Sequence, residues 1–105
     1  MSINHEYQAD SSTFLIGLDS QFTFNESSEF INTHEQVPDN ARACNIDFSV
    51  VEYMDSSALG ALLLVKSKLE EKGISNIRLV NCTPPIIQLL EVCQYQMMFE
   101  ITQKG

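Results

Sequence analysis

The sequence predicts an α/β fold, a mixed but mainly parallel sheet of about five strands with three or four crossover helices. Short apolar runs of strand length alternate with longer stretches whose apolar residues recur at helical spacing. Strands separated by helices need crossover connections, and these set neighbouring strands parallel. Helix-stop and helix-start residues fall between the runs: Pro38, Gly73 and Thr83-Pro84-Pro85. With 105 residues, of which 44% are apolar, the chain has material for one such domain.

Residues 1–12 read as a polar tail that joins or frays from the first strand. They hold neither the positive cluster nor the apolar block of a secretory signal. Residues 13–18 form an apolar run of strand length. Phe22 and Phe24 flank Thr23 with period two, which predicts a second short strand close enough to the first for a hairpin. Asn25 then caps a helix with Glu26 and Glu29 in its first turn, where negative charge suits the helix dipole. Phe30, Ile31, His34 and Val37 give that helix one apolar stripe, with His34 as a packing residue, and Pro38 stops it. After a polar loop, Cys44, Ile46 and Phe48 alternate with Asn45 and Asp47 in a strand at 43–49. A second helix opens at Asp55 or Ser56 and ends at Gly73, with Lys72 in its last turn. Ile77 and Leu79 mark the next strand. Thr83 caps a third helix with proline in its first turn, and Ile86, Leu89, Leu90 and Cys93 line one face of it. Residues 98–101 supply a last strand. The order is strand, strand, helix, strand, helix, strand, helix, strand, in a single domain over 1–105.

Charge narrows the partners. Residues 1–55 hold ten acids and one base, Arg42, a net of −9; residues 56–105 hold four acids and five bases, a net of +1. Nucleic acid and anionic lipid surfaces need clustered Lys and Arg, so both are poor partners. The longest apolar run, residues 58–65, is eight residues, against about 20 for a membrane span, so no membrane insertion is expected. Cys44, Cys82 and Cys93 are odd in number and form no Cys-x-x-Cys pair. A reduced, cytoplasmic chain without a metal or other cofactor is the plain reading.

The informative segment is Tyr53-Met54-Asp55-Ser56-Ser57-Ala58-Leu59-Gly60. A strand ends there, an acid and two hydroxyls follow, and a helix opens. Capping accounts for one polar residue; three stand in a row, at the strand end where α/β sheets gather their sites. At about 100° per residue, Ala58, Ala61, Leu62, Val65 and Leu69 form a core-facing stripe. Leu59 and Leu63 lie beside it and Leu64 lies toward the opposite side, so the first two turns are apolar nearly all round. Such surplus is either a docking surface beside the hydroxyls or the seat of a covering loop. Enzyme signatures are missing: Gly-x-Ser-x-Gly, His-Glu-x-x-His and a Gly-rich phosphate loop are all absent, and His5 and His34 lie far from Ser56 in sequence. A binding protein without catalytic residues is therefore expected.

The stretch NIDFSVVEYMDSSALG at 45–60 closely resembles the signature of STAS domains in the branch of bacterial anti-sigma factor antagonists. The resemblance extends over about residues 13–102, and QFTFNESSEF at 21–30 is similar to small stand-alone gammaproteobacterial members. It implies partner switching. The unphosphorylated protein binds an anti-sigma factor or related serine kinase; phosphorylation releases it; a PP2C-type phosphatase restores it, in cascades that govern transcription, biofilm or motility. Carried over, the phosphosite is Ser56, with Asp55, Ser57 and Thr23 as neighbours and Met54, Ala58, Leu59, Gly60 and Leu63 as partner-binding residues. Ala58 replaces a glycine frequent in the family, and Ser20 and Thr23 replace the Gly and Asp of a Gly-x-Leu-Asp motif. The alternative the family offers is a constitutive subunit bound to the ATPase of an ABC-type lipid transport system; Asp-Ser-Ser, against Asp-Thr or Asp-Ala forms, favours the switch.

Overall fold

The computed structural model describes residues 3–105. Strands β1 (Asn4–Gln8), β2 (Thr13–Gly17), β4 (Ala43–Asp47), β6 (Asn76–Cys82) and β7 (Glu100–Gln103) form one five-stranded sheet in the order β1-β2-β4-β6-β7. The pair β1–β2 is antiparallel and the other three pairs are parallel. Helices α1 (Phe24–Asn32), α2 (Ser56–Glu71) and α3 (Pro84–Val92) make the three crossovers. Every crossover steps the same way across the sheet, and right-handed connections then put all three helices on one face.

Burial follows that layering. Phe14, Ile16, Cys44, Ile46, Ile77 and Leu79 alternate toward the helices and join the core with Leu62, Leu69, Ile86 and Leu90. The opposite face carries a row in register, Glu6, Leu15, Asn45, Arg78 and Glu100. Arg78 donates to Asn45 Oδ1 at 3.0 Å and stands 3.6 Å from the Glu100 carboxylate. Parallel sheets are usually covered on both faces; this row, polar at every position but Leu15, lets one face stand without helices.

The predicted hairpin forms between different partners. The supposed polar tail contains β1, which pairs with β2. Residues 21–22 instead make β3 (Gln21–Phe22), paired parallel with β5 (Tyr53–Met54) in a separate two-stranded sheet. An edge strand exposed over Asn4, His5 and Glu6 has no apolar alternation to show in sequence; His5 is tied down by stacking on Phe14, with ring centroids 5.5 Å apart.

Thr23, not Asn25, caps α1. The Glu26 carboxylate accepts the Thr23 backbone N–H at 3.0 Å and its hydroxyl at 2.8 Å, so a Thr-x-x-Glu box fixes the helix start two residues early. A 3₁₀ turn, Thr33–Gln36, carries the chain on toward Pro38, and His34 packs there with Nδ1 2.7 Å from the Ile31 carbonyl. Helix α2 buries the predicted stripe of Ala58, Ala61, Leu62, Val65 and Leu69. Gly73 follows it at φ +89°, a backbone conformation that side chains disfavour.

Cys93 does not line the buried face of α3. The helix ends at Val92, Gln94 turns the chain at φ +62°, and Cys93 is exposed. A second 3₁₀ turn, Tyr95–Met97, delays the last strand to Glu100–Gln103. Burial pushes the Cys44 thiol up to about 12, and burial with the nearby Asp47 charge pushes Cys82 up to about 11. At pH 8 the thiolate fraction of Cys44 is then about one in ten thousand. A maleimide reagent at that pH is expected to label Cys93 alone in the folded protein and all three thiols in denaturant, counted by intact mass. Rapid native labelling of Cys44 would contradict the packing described.

Candidate functional site

The parallel pairing of β3 with β5 sets Phe22 opposite Met54. The residues that follow, Thr23 and Asp55, therefore stand side by side, each as the N-cap of a helix. Asp55 joins the two helix starts. Its Oδ1 accepts the Ala58 N–H of α2 at 3.0 Å, and its Oδ2 accepts the Phe24 N–H of α1 at 3.1 Å. Asp47 braces the loop leading to the site, accepting the Ser49 N–H at 3.0 Å and the Asn81 side-chain amide at 3.1 Å on Oδ1. Ser56 and Ser57 occupy the first turn of α2 and are both exposed. Free N–H groups and the positive end of a helix dipole favour an anion at such a position.

Only part of the predicted docking set is available to a partner. Met54 and Ala58 are corrections: Met54 is 6% exposed and Ala58 0%. Met54 points inward beside Phe22, and Ala58 heads the core stripe. Leu59 is half-buried, with its carbonyl accepting the Tyr95 hydroxyl at 2.7 Å, so the 3₁₀ turn takes up part of the surplus apolar surface. Gly60 and Leu63 remain at the surface. Thr23 lies beside Asp55 as the resemblance implies, yet its hydroxyl is turned to Glu26.

Three exposed apolar residues were hidden in the sequence: Phe24 (73%), Tyr53 (54%) and Val50 (54%). Phe24 shares a period-two pattern with Phe22, which disguised it as a strand residue. The capping box from Thr23 to Glu26 was the signal that separates them, because it makes Phe24 the first residue of a helix. Tyr53 belongs to a strand of two residues, too short to show a pattern.

The site offers hydroxyls, a carboxylate already engaged with two N–H groups, and apolar surface. His5 is stacked on Phe14 in β1, and His34 Nδ1 is bonded to the Ile31 carbonyl. Among the described residues there is no group of three or more side chains able to hold a metal ion, and no helix long and apolar enough to cross a membrane.

A family model described as the STAS domain matches residues 4–104. A STAS-domain containing protein of Pseudomonas aeruginosa is 29% identical over 102 residues, which cover 97% of this chain and 100% of that one. Among solved structures, an anti-sigma-factor antagonist (STAS) domain protein from Planctomyces limnophilus has a TM-score of 0.80 at 17% identity, covering 100% of this chain and 92% of its own. The anti-sigma factor antagonist SpoIIAA in its unphosphorylated form has a TM-score of 0.69 at 17% identity, over 99% of this chain and 90% of its own. The phosphorylated form, from Bacillus, has a TM-score of 0.64 at 16% identity, over 95% and 90%.

Proposed function

The chain belongs to the STAS-domain family, and from that membership we propose that it is an anti-sigma factor antagonist acting by partner switching. In its unmodified form it binds an anti-sigma factor or related serine kinase through the surface around Ser56. Phosphorylation of Ser56 ends that binding, and a PP2C-type phosphatase restores it. It works in the cytoplasm as a binding protein and carries out no catalysis itself. The observation that carries the reading is Ser56 itself: an exposed serine at the first turn of a helix, next to Asp55, whose carboxylate accepts the N–H of the exposed Phe24. A kinase can reach its hydroxyl without unfolding the domain, and a phosphate there lies in any interface that uses Phe24 or Leu63. The likeness to SpoIIAA in both unphosphorylated and phosphorylated forms supports the same reading.

Affinity capture from the protein's own cells, followed by identification of the bound partner and of phosphate on Ser56, tests it. An anti-sigma factor or serine kinase held by unmodified protein, with phosphate on Ser56 in the unbound fraction, is the expected result. A copurifying transporter ATPase with Ser56 unmodified under every condition would overturn the proposal in favour of the constitutive subunit.

A further inference from the structure

One carboxylate serves two helices at the site. Asp55 Oδ1 holds the Ala58 N–H within its own helix start, and Oδ2 reaches across to the Phe24 N–H, 31 residues away in sequence. Phe24 is the first residue of α1, and it is 73% exposed. We propose that Asp55 is a positioning residue that couples Ser56 to Phe24: it pins the first turn of α1 to that of α2, and negative charge on Ser56 loosens the pin and re-orients Phe24. The proposal rests on the reading of Ser56 as the modified residue.

The two bonds of Asp55 are unequal in kind. The bond to Ala58 closes a short loop within one helix start, the usual N-cap arrangement. The bond to Phe24 bridges separate segments at the exposed surface. A phosphate on the next residue puts like charge beside the Asp55 carboxylate and repels it. The bridging bond yields first, because Phe24 alone must move and its freed N–H turns to water at a helix start, where N–H groups lack helical partners in any case. Modification is thus read 32 residues away in sequence without a change of fold, as a shift of the exposed Phe24.

Asp55→Asn separates the two bonds. Asparagine caps helices about as well as aspartate, but the two N–H groups sit on different carboxylate oxygens, and the amide puts an NH2 donor in place of one of them, so one N–H loses its acceptor. Amide NMR of the full ¹⁵N-labelled chain compares wild type, Asp55→Asn and Ser56→Asp. In Asp55→Asn the Phe24 amide proton is expected to move upfield and to exchange with solvent at least about tenfold faster, the factor that one charge-assisted hydrogen bond supports. The amides of Ile46 and Leu79 should keep their positions, the Ala58 amide should stay protected from exchange, and the melting temperature should hold. Ser56→Asp should displace the Phe24 amide in the same direction. If Asp55→Asn lowers the melting temperature, Asp55→Ser serves the same comparison, because serine caps but is too short to reach Phe24. A Phe24 amide unmoved in the Asp55 variants would remove the pin; one that moves there but stays put in Ser56→Asp would remove the coupling. Neither readout needs a partner, so a failure of partner switching in the capture experiment is distinguishable from a failure here.

Discussion

Ser56→Asp is expected to weaken binding of the captured regulator at least a hundredfold while the fold stays intact. Like charge or an unpaired charge in a desolvated interface costs several kcal/mol, and each 1.4 kcal/mol is about tenfold in affinity. The fold has less reason to suffer, since the contact the charge opposes is the exposed bond between Asp55 and the Phe24 N–H. Ser56 is exposed, and an acid in the first turn of α2 faces the positive end of the helix dipole, which is favourable by about 0.3–1 kcal/mol. The melting temperature should therefore stay within about 4 °C of wild type or rise slightly. A fall of ten degrees would mean that lost binding reports unfolding, and the switch reading would lose its support. Salt distinguishes the two ways a charge can block docking. Ser56 stands on the seam between the −9 and +1 halves of the chain, and if the partner's surface repels added negative charge, higher ionic strength should restore part of the binding by screening. Binding that stays lost at high salt would assign the block to shape and desolvation.

How far the site was legible depends on where its contacts come from. The start of α2 was readable because its signals are local: the Asp55 cap, two hydroxyls, and the stripe from Ala58 to Leu69 all lie within one helix. The crossover order was readable for the same reason, since the buried alternation of β4 and β6 is intrinsic to each strand. What failed depends on pairing between distant segments. β1 is an exposed edge strand with no apolar alternation, and β3 and β5 have two residues each, too few for a period. Without the β3–β5 pairing nothing in the sequence sets Phe22 over Met54, so the resemblance puts Met54 among the partner-binding residues although it is buried. Without it, too, nothing brings Phe24 to Asp55. The helix start that presents Ser56 was local and legible; its neighbours were supplied by long-range registry.

That registry makes a sharp prediction from two phenylalanines two positions apart. Phe22 is 0% exposed and packs edge-on against Phe30 and Phe48, with ring centroids 5.1 and 6.4 Å away. Phe24 is 73% exposed and packs on little. Removing a buried aromatic side chain costs about 3–5 kcal/mol through lost transfer energy and the cavity left behind, whereas exposed positions generally stay within about 0.5 kcal/mol. Domains of this size hold only about 5–15 kcal/mol in total. Phe22→Ala should therefore lower the melting temperature by ten degrees or more, at about 4–8 °C per kcal/mol, and Phe24→Ala should leave it nearly unchanged. In urea the midpoint of Phe22→Ala should fall in proportion, with the slope preserved if unfolding remains two-state. The damage should also reach the site: Phe22 sits under the caps Thr23 and Asp55, so losing its packing loosens the wall on which both helix starts rest. Equal losses from the two substitutions would place the chain reversal between strand and helix elsewhere, and with it the exposed Phe24 bonded to Asp55.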